Sequence, residues 1–178
     1  MKNNLIEEVV RQIGSLLLIL VLAVITDLYS YKIPNEIIIT GILSGTYFMF
    51  MQEGAAGILH GIVAVGFFVF ILFPLFLCKG LGAGDIKLCG VIGGFLGIHN
   101  GIKCLTMTFL IGALFALIKL LNGHNLLKRI KYFLSYFYQF IITGKLVTYE
   151  RDIKSGNGII HFSIPSLLST LLFMEGLY

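Results

Sequence analysis

Asp85 stands in an unusual setting. The stretch Cys78-Lys79-Gly80-Leu81-Gly82-Ala83-Gly84-Asp85-Ile86-Lys87-Leu88 places a carboxylate and two cations among glycines, between two long apolar runs. An ionisable residue in such surroundings is costly, and that cost makes it a functional candidate. Its natural companion is Asp27, at the end of the first apolar run. Two carboxylates can hydrolyse a peptide bond if they hold opposite protonation states: one takes a proton from water while the other, protonated, hydrogen-bonds the scissile carbonyl. Close like charges resist double ionisation, so the pair shares a proton and titrates as a unit. Gly82 and Gly84 remove side chains beside Asp85, which lets backbone approach closely and permits positive φ. Taken singly, Asp27 also fits an interface turn and Asp85 a helix cap. Both reaching one membrane face beside a glycine motif favours chemistry over capping.

The elements that must position them are hydrophobic helices. Of the 178 residues, 57% are hydrophobic and 12% charged, and the mean hydropathy is +0.95. A soluble domain averages about 45–50% apolar and about 25% charged residues. The chain is therefore read as a membrane protein, counted in spans of roughly 20 residues each. The first run covers about 13–25, extended N-terminally through Val9 and Val10, and ends at Thr26-Asp27. A polar turn, Tyr29-Ser30-Tyr31-Lys32, leads to Ile33-Pro34-Asn35, where the proline stops a continuous helix. Further runs cover about 36–51, 58–77 (with Pro74 near its end), 86–98, 102–121 and 159–177. The run over 86–98 carries Gly90, Gly93, Gly94 and Gly97, small residues that allow close helix approach, and is placed mid-bundle. A polar turn, His99-Asn100-Gly101, separates it from the next. Between 122 and 158, Leu126, Ile130, Phe133, Leu134, Phe137 and Ile141 recur at helical spacing opposite Lys128, Lys131, Ser135 and Gln139. This predicts an amphipathic helix lying in the interface, with a seventh span as the alternative. The expected fold is an all-α polytopic bundle of about six transmembrane helices plus that interfacial helix. It forms a single domain over 1–178.

Six spans put the turn after Asp27, the glycine stretch and the long segment after the fifth run on one side. That side collects ten of the 13 Lys and Arg residues, leaving Lys2, Arg11 and Lys103 on the other. Positive charge marks the cytoplasmic side, so Asp27 and Asp85 are expected to share a cytoplasmic face. Lys79 and Lys87 are expected to snorkel into the headgroup layer there. The dipoles differ at the two aspartates. Asp85 falls at the start of a helix, where an anion is favoured, and Asp27 at the end of one. This predicts Asp85 as the base and Asp27 as the acid at rest.

Other chemistries find little support. Cys78, Cys89 and Cys104 form no C-x-x-C and read as small packing residues. His60, His99, His124 and His161 share no ligand spacing and read as structural or interfacial, so no metal is expected. The cations lie at span ends without a recognition motif, which argues against nucleic-acid binding. Glu7 and Glu8 beside Lys2 and Arg11, with no small-residue cleavage site, make the first run a retained helix rather than a signal peptide.

Gly82-Ala83-Gly84-Asp85 resembles the GxGD signature of intramembrane aspartyl proteases, and the longer string Lys79 to Leu88 is similar to that of type IV prepilin peptidases. Asp27 followed by Ile33-Pro34-Asn35 matches the first half of the family pattern. Phe162-Ser163-Ile164-Pro165-Ser166-Leu167 is similar to its last helix. The resemblance implies catalytic roles for Asp27 and Asp85 and no metal or organic cofactor. It implies removal of a short basic leader from prepilin-like membrane proteins at the cytoplasmic face of the plasma membrane. Long family members carry a cytoplasmic domain with paired cysteines and also N-methylate the new terminus. Here the turn between the first two spans is too short for that domain, so a peptidase without methyltransferase activity is expected. The compact form is similar to peptidases serving tight-adherence pili or to preflagellin peptidases. The rival readings are a non-enzymatic membrane subunit whose aspartates line a polar path, and a protease of signal-peptide remnants.

Overall fold

The computed structural model describes residues 2–78, 80–122 and 161–176. The expected interfacial helix therefore lies outside the described residues, as does Lys79. The described residues are helical, in the order α1 (Lys2–Ser30), α2 (Asn35–Glu53), α3 (Ala55–Leu77), α4 (Ala83–Asn122) and α5 (Ser163–Met174). By contact, the chain divides into one unit of 1–111 and 161–178 and a second of 112–160. The described part of the second is the end of α4.

Three helical stretches are long and apolar enough to cross a membrane: Val10–Ser30, Ala55–Leu77 and Ala83–Lys119. α5 is apolar but shorter. In lipid the backbone must satisfy its own hydrogen bonds, so apolar runs of this length form helices. Large side chains such as Leu18, Leu43, Leu59 and Phe70 point outward. An apolar surface of this kind is a liability in water and what hydrocarbon requires.

α1 runs further than its apolar core suggests. It continues through Asp27 to Ser30, so the first half of the predicted turn belongs to its last turn. One face of α1 is buried, through Gln12, Leu16, Ile19, Leu20, Ala23 and Asp27. These recur at intervals of three and four, the spacing of a single helix face. The stripe is apolar in the middle and polar at both ends. α1 packs on α2 and α5, and α2 on α3. Leu16, Leu20, Leu88, Ile92 and Phe95 form the solvent-free centre.

The break expected at His99-Asn100-Gly101 falls earlier, at Gly97, with φ 72° and ψ 179°. That backbone region is essentially reserved for glycine. An apolar run with no proline offered no reason to favour one of its four glycines. The consequence is large. A Cβ added at Gly101 would lie 3.4 Å from the Gly93 Cα, whereas eight residues along a straight helix are about 12 Å apart. α4 thus doubles back on itself, and its two arms pack through small residues. Phe68 of α3 fills the space beside both Gly93 and Gly101, where no side chain could fit without displacing its ring.

Candidate active site

Asp27 sits in the last turn of α1 and its backbone carbonyl accepts from the Tyr31 N–H (2.9 Å). Tyr31 ends the helix in a left-handed conformation, φ 54°. That is uncommon for a bulky residue and costs on the order of 1 kcal/mol. The ring so placed stacks on His161, with centroids 5.4 Å apart. The Asp27 residue is only 9% exposed. Its Oδ2 accepts a 2.6 Å hydrogen bond from Ser163 Oγ at the start of α5. His161 Nδ1 faces the same oxygen from 3.3 Å, yet it is buried and out of hydrogen-bond alignment.

Asp85 lies in the first turn of α4, as the glycine stretch predicted. Its Oδ2 accepts from the Gly82 N–H (3.1 Å), closing the helix start as the third helical residue of a capping box does. It is half-buried and within electrostatic range of Asp27 and His161. The two aspartates, 58 positions apart in the chain, are thus brought to one end of the same unit.

The two motifs are also tied directly. Lys87 Nζ, expected to snorkel, donates to Asn35 Oδ1 (2.9 Å) instead. A Cβ at Gly84 would meet Ile33 at 3.5 Å, an ordinary contact. So Gly84 faces the Ile33-Pro34-Asn35 turn, and Gly82 is the glycine beside the Asp85 carboxylate. Neither has positive φ; that conformation is used at Gly54, Gly97 and Gly176. Cys89 and Cys104 are buried as packing residues, whereas Cys78 is exposed.

Sequence reasoning missed Ser163 and His161 as neighbours of Asp27. A signal was present: Ser163, Ser166, Ser169 and Thr170 are all fully buried and recur at helical spacing, a polar stripe that an apolar helix carries only toward partners. Among the described residues no cluster of His, Cys, Asp and Glu could hold a metal ion.

A helical membrane-type protein with two aspartates gathered at one end belongs to a narrow class. The type IV leader peptidase family model matches residues 14–117, more than half of the chain, and the chain belongs to that family. The match includes both aspartates and excludes Ser163. The prepilin leader peptidase/N-methyltransferase of Bacillus subtilis (strain 168) is 31% identical over 108 residues, covering 59% of this chain and 43% of that protein. The chain therefore spans less than half the length of this relative. No solved structure matches it.

Proposed function

We propose that this protein is an aspartic endopeptidase that removes the leader peptide from prepilin-like membrane proteins, with Asp27 and Asp85 as its catalytic pair. The observation that carries this reading is the meeting of the two motifs: Asp27 ends α1 and Asp85 begins α4 in the same unit, and Lys87 beside Asp85 bonds to Asn35 of the turn that follows Asp27. Membership of the leader peptidase family supports the reaction class.

In the proposed reaction the Asp85 carboxylate takes a proton from water. The water oxygen bonds to the scissile carbonyl carbon, and Asp27 gives its proton to the carbonyl oxygen. Breakdown of the tetrahedral adduct returns one hydroxyl proton to Asp27, and Asp85 passes its proton to the leaving nitrogen as the C–N bond breaks. The helix dipole supports the assignment, since Asp85 begins a helix and Asp27 ends one. Substrates are type IV pilins, tight-adherence pilins or preflagellins, cut at the cytoplasmic face of the plasma membrane. A count of about six crossings, with α4 taken as two arms, together with the excess of Lys and Arg in the sequence segments on the aspartates' side, supports that face. Only residues 31–34 join α1 to α2, which supports a peptidase without N-methyltransferase activity.

The test is cleavage of a purified prepilin-like substrate in detergent by wild type, Asp27→Asn and Asp85→Asn. Cutting by wild type that is lost in both folded variants is the expected result. Cutting that survives either substitution would remove that aspartate from the mechanism. Folded wild type that cuts no candidate pilin would favour the non-enzymatic subunit.

A further inference from the structure

Among the described residues, the side-chain contacts of Asp27 fall on one oxygen. Ser163 Oγ donates to Oδ2, and His161 Nδ1 faces that same oxygen. Ser163 is fully buried, so its hydroxyl has no competing water. No described residue donates to Oδ1. A carboxylic acid has one oxygen that carries the proton and one that only accepts. An oxygen already accepting a hydroxyl proton at 2.6 Å is the poorer place for the acid proton.

The geometry points to Ser163 as a positioning residue that holds Oδ2 of Asp27 as the accepting oxygen and so places the catalytic proton on Oδ1. This deepens the peptidase reading and rests on it. An acid that holds its proton on the wrong oxygen must rotate or exchange it before each turnover, and the loss falls on the chemical step rather than on substrate binding.

The experiment compares steady-state cleavage of a prepilin-like substrate by wild type, Ser163→Ala and Ser163→Thr. A hydrogen bond to an ionisable group of this kind corresponds to a change in kcat of about ten- to a hundredfold. Ser163→Ala should lose that much kcat with KM within about twofold, and Ser163→Thr, which keeps the hydroxyl, should recover most of it. In parallel, the Asp27 carboxyl band in the infrared spectrum, identified by its loss in Asp27→Asn, should move in Ser163→Ala without substrate present. Wild-type kcat in Ser163→Ala, an equal fall in the alanine and threonine variants, or an unmoved band would overturn the inference and leave the aspartic mechanism standing. Absence of cutting by wild type would overturn the peptidase reading and this one with it.

Discussion

The buried stripe of α1 ends in a polar group at each extremity, and the two are handled differently. At one end Gln12, 6% exposed, donates through Nε2 to the Phe95 carbonyl and accepts at Oε1 from Gln52 Nε2 at 2.7 Å. Phe95 lies two residues before the break at Gly97, where the helical ladder is interrupted, so the amide caps a carbonyl near the turn. That end is neutral, and its amide both donates and accepts. At the other end, among the described residues, Asp27 accepts on one side-chain oxygen, and a buried histidine nitrogen beside it has no hydrogen bond. About 22 Å of helix separates them. A polar cluster that closes on itself holds helices together, whereas one left partly unpaired keeps capacity for something else. The comparison separates the lock from the site.

The sharpest way to break that comparison is to remove charge at one end and the amide at the other. Asp27→Asn and Asp85→Asn should each lower kcat/KM on the order of a hundred- to ten-thousandfold, the usual worth of a general acid or base. Thermal unfolding in detergent should change little. Gln12→Leu should do the reverse. It strands Gln52 and the Phe95 carbonyl, costing about 1–3 kcal/mol of stability, read as a lower Tm, while kcat at a temperature where the protein is folded stays within about twofold. If Gln12→Leu abolished cutting by a fully folded protein, the two ends would not be separable. A smaller effect sharpens the boundary of the site. Lys87→Met removes the exposed bond to Asn35 and should lower kcat/KM about two- to fivefold, measured by the same cleavage assay, with no loss of Tm.

The parts of this arrangement that were legible in the sequence are those that one residue type determines. Asp27 and Asp85 stood out because carboxylates are costly in apolar surroundings. The start of α4 was legible because the glycine stretch bounds it, whereas α1 runs on past its apolar residues to Ser30. The position of the break in α4 was not, since the conformation of Gly97 depends on where Phe68 and Gly101 pack. Nor was the partnership of Lys87 with Asn35, because a lysine at a membrane face has an adequate solution in the headgroups. Gln12 and Ser163 were overlooked for a related reason. Neither is charged, and each shows its importance only when its helix face is known. Periodicity would have found both: Gln12 is four residues before Leu16 on the Asp27 face, and Ser163 opens a row of buried hydroxyls.

The bond between Ser163 and Asp27 joins residues 136 positions apart. At typical rates of synthesis, about 5–20 residues per second, Asp27 is made roughly 7–27 seconds before its partner. A nascent chain therefore holds both aspartates before it has the hydroxyl that bonds Asp27. On the proposed peptidase reading, the arrival of α5 is the step that supplies this bond, and cutting at full rate waits for it.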